Sequence, residues 1–460
     1  MKKLFSVLLA LLMMAGVIAV APITASAAVG IAAGVPTFTV NTASPTLIGF
    51  GGKQWAVIGY NGSGVASESG KLTLLLANGE SYGNPNYFKV NSPYSNEYSG
   101  SDLKTAMEGA YGTLPAKEQA LVAARDLAGG SGLYSSPNTT GYDPDKVAGP
   151  AVTGAKFWPL SAGEATAVNA TVRQYGSWWW LRSPGNYQDR AAGVGDDGYV
   201  YLPGYTTFRE AGGVRPALRL NLSSVLFASD ASGASAKSSA APGGGLVPAQ
   251  PAGAALKFTM QDASLALGGV TTNSRSGDTV SFSYSGATAG KTLSAVVLGS
   301  GGAVKYYGKL LASTAASGTA SVTLPGDFLA TDTVQIFIEE ANGDNQTDFA
   351  SAYKQLTVPT PHTHDYGMAW QKDAAGHWKE CACGEKDGEA AHTPGSWTVD
   401  KAATATETGS QHRTCSVCGY VETQTIPATG VKTIFSTRYE ANFLNWILFF
   451  LGFGFIWMWF

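Results

Sequence analysis

All four cysteines and all five histidines of this 460-residue chain lie between His362 and Cys418. The long stretch before His362 has neither thiol nor imidazole, so no disulfide and no soft metal site can brace it. Burial of apolar side chains has to hold that part together. The same distribution removes two reaction classes from it, because serine–histidine and cysteine–histidine catalysis each need one of the missing groups at the nucleophile.

A chain of this length holds roughly two to three domains. Charged residues make up only 14% and the formal net charge is −3, which leaves no electrostatic footprint for nucleic acid. Low charge with many small and turn-forming residues points to all-β or α+β architecture of an exported kind. Residues 228–255 have almost no large apolar side chains and are rich in Ala, Ser, Gly and Pro. Such a segment buries too little to offset its ordering entropy, and it reads as a disordered linker. A second break falls at Val358-Pro359-Thr360-Pro361. The expected layout is a first module at 35–227, a second at 256–358 and a Cys/His module at 362–430.

Both ends read as targeting segments. Met1-Lys2-Lys3, an apolar run to about Val20 and the small-x-small pattern Ala25-Ser26-Ala27 form a secretory signal peptide over 1–27. Residues 442–460 carry nine aromatic side chains and no charge. As a helix they would span about 28 Å, close to the ~30 Å hydrocarbon core of a bilayer. Trp446, Trp457 and Trp459 suit the interfacial belts. A C-terminal transmembrane anchor is therefore expected, with an extracytoplasmic, cell-surface location. Ile426-Pro427-Ala428-Thr429-Gly430 is one residue away from a sortase-type site, but no basic cluster ends the chain. It is more economically the close of the preceding repeat.

In the first module, Trp55–Ile58 and Leu72–Leu76 read as buried strands, with helices near 101–111, 115–127 and from Ser161 onward. Ser161 and Glu164 form a capping-box pattern, and Asp197-Gly198 a hairpin turn. The ordered series Trp55-Ala56-Val57-Ile58, Leu72–Leu76, Ser101–Met107, Leu160–Glu164, Trp179–Gly185, Gly195–Val200 and Gly213–Leu218 resembles an uncharacterised domain family of exported Gram-positive proteins. That family in turn resembles the C-type-lectin-like fold shared with formylglycine-generating enzymes. The resemblance implies an α+β lectin-like domain over about 50–222. It carries over neither the enzyme's cysteines nor the calcium loops of lectins. Trp178, Trp179 and Trp180 fit a structural cluster better than a sugar platform, since alternate strand residues face opposite ways. Arg182 and Arg215 read as structural hubs, and the pair Asp196 and Asp197 as a turn.

Over 256–358, short apolar–polar alternations broken by Gly, Ser and Asn suggest an immunoglobulin-like β-sandwich. The acidic run 339–345 lacks the spacing of a known calcium loop, and Asn342-Gly343 makes it a turn.

Residues 362–430 partly repeat: Trp370, His377, Cys381 and Cys383 correspond to Trp397, His412, Cys415 and Cys418. The pattern resembles a tandem Trp/His/Cys repeat of exported bacterial proteins. Cys415-x-x-Cys418-Gly419 has zinc-knuckle spacing, whereas Cys381-x-Cys383-Gly384 is one residue short. The candidate metal ligands are Cys381, Cys383, Cys415 and Cys418, with His377 or His392 able to replace a member of the short pair. The staple is either a structural zinc ion or, in an exported chain, disulfides. The functional expectation is a membrane-anchored, modular surface protein, more binder than enzyme. Its partner would be an extracellular glycan, an envelope polymer or a protein, and its tail would bind the membrane. The rivals are an envelope hydrolase using carboxylates of the first module and a purely architectural component.

Overall fold

The strand Thr333–Glu340 shows why an isolated sandwich does not form. Val334, Ile336 and Ile338 are buried on one face and Phe337 and Glu339 on the other, so this strand has no solvent side. Thr292–Leu298 behaves alike, with Leu293, Ala295 and Val297 on one face and Ser294 and Val296 on the other. Strands buried on both faces must be a wall shared by two cores. The computed structural model describes residues 28–430 except 84–85, 131, 136–140, 210, 244, 361–363 and 383.

That wall belongs to a closed barrel of eight strands. Val225–Asp230 pairs with Val29–Ala33, followed around the ring by Val247–Gln250, Val304–Leu311, Thr292–Leu298, Thr333–Glu340, Asp348–Ala350 and Ala255–Gln261. The last of these pairs back with Val225–Asp230, aligning Ala228 with Phe258, and so closes the ring. Val29, Ile31, Phe227, Val247, Val296, Tyr307 and Phe337 fill the interior. Outside, the Leu293–Val297 and Val334–Ile338 faces pack on a three-stranded sheet of Gly269–Ser276, Thr279–Ser285 and Ser317–Thr323.

From the barrel the sheet continues into the N-terminal part of the chain. Ala255–Gln261 pairs in parallel with Leu47–Phe50. That strand leads through Lys53–Tyr60 and Lys71–Leu76 to Ala217–Asn221. The largest core lies here, around Trp55, Trp158, Trp179 and Trp180.

These pairings correct the expected fold. An α+β C-type-lectin-like domain is not what forms. The described chain is mostly strand, and its longest helix, Asp102–Gly112, has 11 residues. The helix expected over 115–127 stops at Leu121, because Val122 enters the sheet opposite Leu220. Nor is 256–358 a separate immunoglobulin-like sandwich, since five of its strands are barrel walls. Residues 228–255 are not a disordered linker. They contribute to the barrel strands Val225–Asp230 and Val247–Gln250, with a turn of 3-10 helix at Lys237–Ser239 between. Small residues suit this wall: a Cβ on Gly30 would stand 2.1 Å from the Asp230 carboxylate. The expected signal peptide (1–27) and transmembrane anchor (442–460) lie outside the described residues. Among those described, no helix is long and apolar enough to cross a membrane.

The chain divides into two compact units after Pro359. In the second, Gln371–Lys372, Gly376–Glu380 and Lys386–Ala391 form one three-stranded sheet, and Thr398–Lys401, Gly409–Thr414 and Val421–Ile426 form another. The half-repeat of the sequence thus becomes two similar antiparallel sheets.

Local signals in the first unit do appear as expected. The Ser161–Glu164 capping box is complete. Asp197 accepts the Tyr199 N–H at 2.8 Å ahead of Gly198 at φ +81°. Arg215 donates to the carbonyls of Leu76, Arg173 and Val172. Trp179 and Trp180 are fully buried, and Trp178 lies edge-on to Trp180 at 4.8 Å.

Arg182, also buried, donates to Glu164 at 2.6 Å and to the Pro159 carbonyl at 2.9 Å. Burial raises the Glu164 pKa, but Arg182 and then Arg125 outweigh it and hold the carboxyl at about 2. A depressed folded-state pKa stabilises at neutral pH. That contribution is lost as pH falls from about 4.5 through about 2. Arg182→Ala leaves this buried carboxylate short of a partner and is expected to cost about 3–5 kcal/mol. Urea unfolding at neutral pH measures it, and the deficit should shrink on acidification through that window.

Candidate metal centre

The described residues of the second unit bury almost nothing apolar. The strands Lys386–Ala391 and Thr398–Lys401 are exposed along their whole length. Among its described residues, the buried side chains are Cys381, Cys415 and His377. What gathers at its centre is polar and soft. His377, His392, Cys415 and Cys418 each offer one ligand atom, and all four atoms lie within 4.8 Å of one another.

Hairpin register assembles this set. His377 pairs opposite Ala390, which places His392 just past the end of the neighbouring strand. A bridge between Pro394 and Cys415 then carries the chain after His392 across to the second sheet. Cys415 follows directly on the strand Gly409–Thr414 and opens a tight turn, its N–H donating to the Tyr420 carbonyl at 2.8 Å. The Gly419 N–H donates to the Cys415 carbonyl at 3.0 Å, with Gly419 at φ +67°. A side chain at Gly419 would be strained in that conformation.

The electrostatics favour a thiolate. Backbone N–H groups, first that of Cys418, then those of Val417 and Thr393, point at Cys415 and outweigh desolvation, and His392 adds to them. Together they bring the thiol down to about 6. The His392 pKa is raised, chiefly because its ring bonds the Asp373 carbonyl and secondarily by Cys415. The His392 Nε2 lies 2.7 Å from that carbonyl, and Nδ1 lies 3.4 Å from the Cys418 sulfur. An outer carbonyl that takes one ring N–H and leaves the other nitrogen facing the site is the usual support of a metal-bound histidine. Tyr420 stacks on this ring at 4.3 Å.

His377 supplies the sharpest sign. It is buried against Trp370, and its Nδ1 has no hydrogen-bond partner among the described residues. An unpaired buried nitrogen is costly unless something binds there. Two imidazoles and two thiols fit a metal ion, and Cys415 and Cys418 carry no disulfide. Zinc bonds of about 2.0–2.3 Å need tetrahedral ligands under roughly 4 Å apart, so closing on an ion requires movement of about 1 Å.

Of the four cysteines expected as ligands, Cys415 and Cys418 are in this cluster. Cys381 is buried at the matching turn of the first sheet and is not one of the four, and Cys383 lies outside the described residues. Both histidine substitutes, His377 and His392, are used together. The missing residue in Cys381-x-Cys383 was the available signal. His412 points elsewhere, its Nδ1 at 2.5 Å from Asp400.

No protein-family model, curated protein or solved structure matches this chain. His377→Ala and Cys415→Ser are each expected to weaken metal binding at least tenfold in competition with a chromophoric chelator. His412→Ala should leave the affinity unchanged.

Proposed function

We propose that residues 364–430 form a zinc-stapled module of an exported, non-enzymatic surface protein. The zinc ion is structural in this reading. One observation carries it: four ligand atoms lie within 4.8 Å of one another in a unit whose described residues bury almost nothing apolar. Four protein ligands close a tetrahedral zinc site and leave no position for water or substrate. Bound there, zinc supplies cross-linking between the two sheets through His377, His392, Cys415 and Cys418. Metal binding in such a module is folding free energy, on the order of 10–16 kcal/mol in small zinc domains.

Residues 28–359 are then the recognition part, for an extracellular glycan, an envelope polymer or a protein, with the zinc module as its stalk. Asp196 and Asp197 support this reading over the hydrolase, because they are spent on a turn rather than paired across a cleft.

Elemental analysis of the purified chain is expected to find about one zinc per molecule. A strong chelator should make 364–430 sensitive to protease and leave 28–359 resistant. A metal-free preparation with all thiols oxidised would assign the staple to disulfides instead. Glycan-array and pull-down binding with the full chain tests the recognition role.

A further inference from the structure

Inside the barrel stand four charged side chains that are essentially sealed from water: Lys237, Lys257, Glu339 and Asp348. The Lys237 Nζ donates to Glu339 at 2.6 Å and to the Thr259 hydroxyl at 2.9 Å. It also lies 3.0 Å from Asp348 Oδ2, yet that oxygen has no hydrogen-bond partner among the described residues. The other oxygen, Oδ1, is doubly held, by Lys257 at 2.9 Å and by the Asn342 N–H at 2.7 Å. Phe227 and Tyr307 wall the Lys237 nitrogen, at 4.9 and 5.4 Å from their ring centres.

The two oxygens of Asp348 are thus placed differently. Oδ1 rests between a cation and a backbone N–H, the surroundings that stabilise an oxyanion. Oδ2 faces the Lys237 nitrogen, 3.0 Å away. Glu339 holds that amine on its far side and is itself fixed by Ser294 at 2.5 Å and by the Tyr307 hydroxyl. That carboxylate lies within hydrogen-bond reach of the proton it would take, and fixed contact between reacting groups supplies the entropy a bimolecular step would lack.

We propose that Lys237 and Asp348 condense into an intramolecular amide bond within the barrel, with Glu339 as the proton relay. Glu339 takes a proton from the Lys237 ammonium, and the freed amine attacks Asp348 Cγ. Negative charge gathers on Oδ1 between Lys257 and the Asn342 N–H. Two of the three ammonium protons pass through Glu339 to Oδ2, which leaves as water when the C–N bond is complete. The third stays on the amide nitrogen. No oxidant or co-reactant enters. One positive and one negative charge disappear, leaving Lys257 and Glu339 as a neutral pair.

Denaturing mass spectrometry of the full chain, with peptide mapping after trypsin, tests this. The expected result is a branched peptide joining Lys237 to Asp348, one water lighter than its two parts, with trypsin blocked at Lys237. Glu339→Gln should return the mass of two linear peptides. If that variant fails to fold, the native protein still decides. Linear peptides from both residues with no branched species overturn the proposal, and a branch at Lys257 overturns the assignment of the amine.

Discussion

The first unit depends on placing two cations and two carboxylates where no water reaches. Lys237 comes from the turn between two barrel strands, and Lys257, Asp348 and Glu339 from three consecutive strands of the barrel wall. Each charge carries a desolvation penalty of several kcal/mol, so the four stabilise the fold only as a set. A barrel missing the turn or any one of the three strands that hold them strands a charge in a low-dielectric interior. The network therefore selects one closed arrangement of strands from the many that apolar patterning would allow.

The second unit meets the opposite difficulty. Its described strands pair in order but expose most of their side chains, so among the described residues strand pairing has no apolar face to hide. Sheets of three short strands without a core are marginal in water. His377 from a strand, His392 from just past the next one, and Cys415 and Cys418 from a single turn form instead a cluster that could hold a metal ion. The two units thus differ in what holds them: polar groups buried within an apolar barrel in one, polar groups gathered without a core in the other.

Local signals in the sequence were legible. Trp55–Ile58 and Leu72–Leu76 are strands, Ser161 and Glu164 cap a helix, and Asp197-Gly198 turns a hairpin. Each is decided by residues a few positions apart. The barrel was not legible, because a strand such as Thr333–Glu340 carries the alternation of a sandwich strand whichever surface covers its outer face. Lys237 stands in a run of Ala and Ser that composition alone marks as a linker, and only the distant Glu339 and Asp348 give it a reason to be buried. At the metal centre, the spacing of Cys415 and Cys418 was readable. The joint recruitment of His377 and His392 depends on hairpin register, which spacing does not determine.

Connectivity separates the units further. In the second, the described strands pair with their neighbours in sequence, so loop closure costs little. In the first, Ile31 must find Ser229 and Leu47 must find Ala255 before the ring and its extension exist. Entropy of closure is spent long before the interior contacts repay it. Lys237 sits in the turn after Val225–Asp230, the strand that pairs with both Val29–Ala33 and Ala255–Gln261. Charge pairing inside and hydrogen bonding around the wall therefore rest on the same stretch of chain.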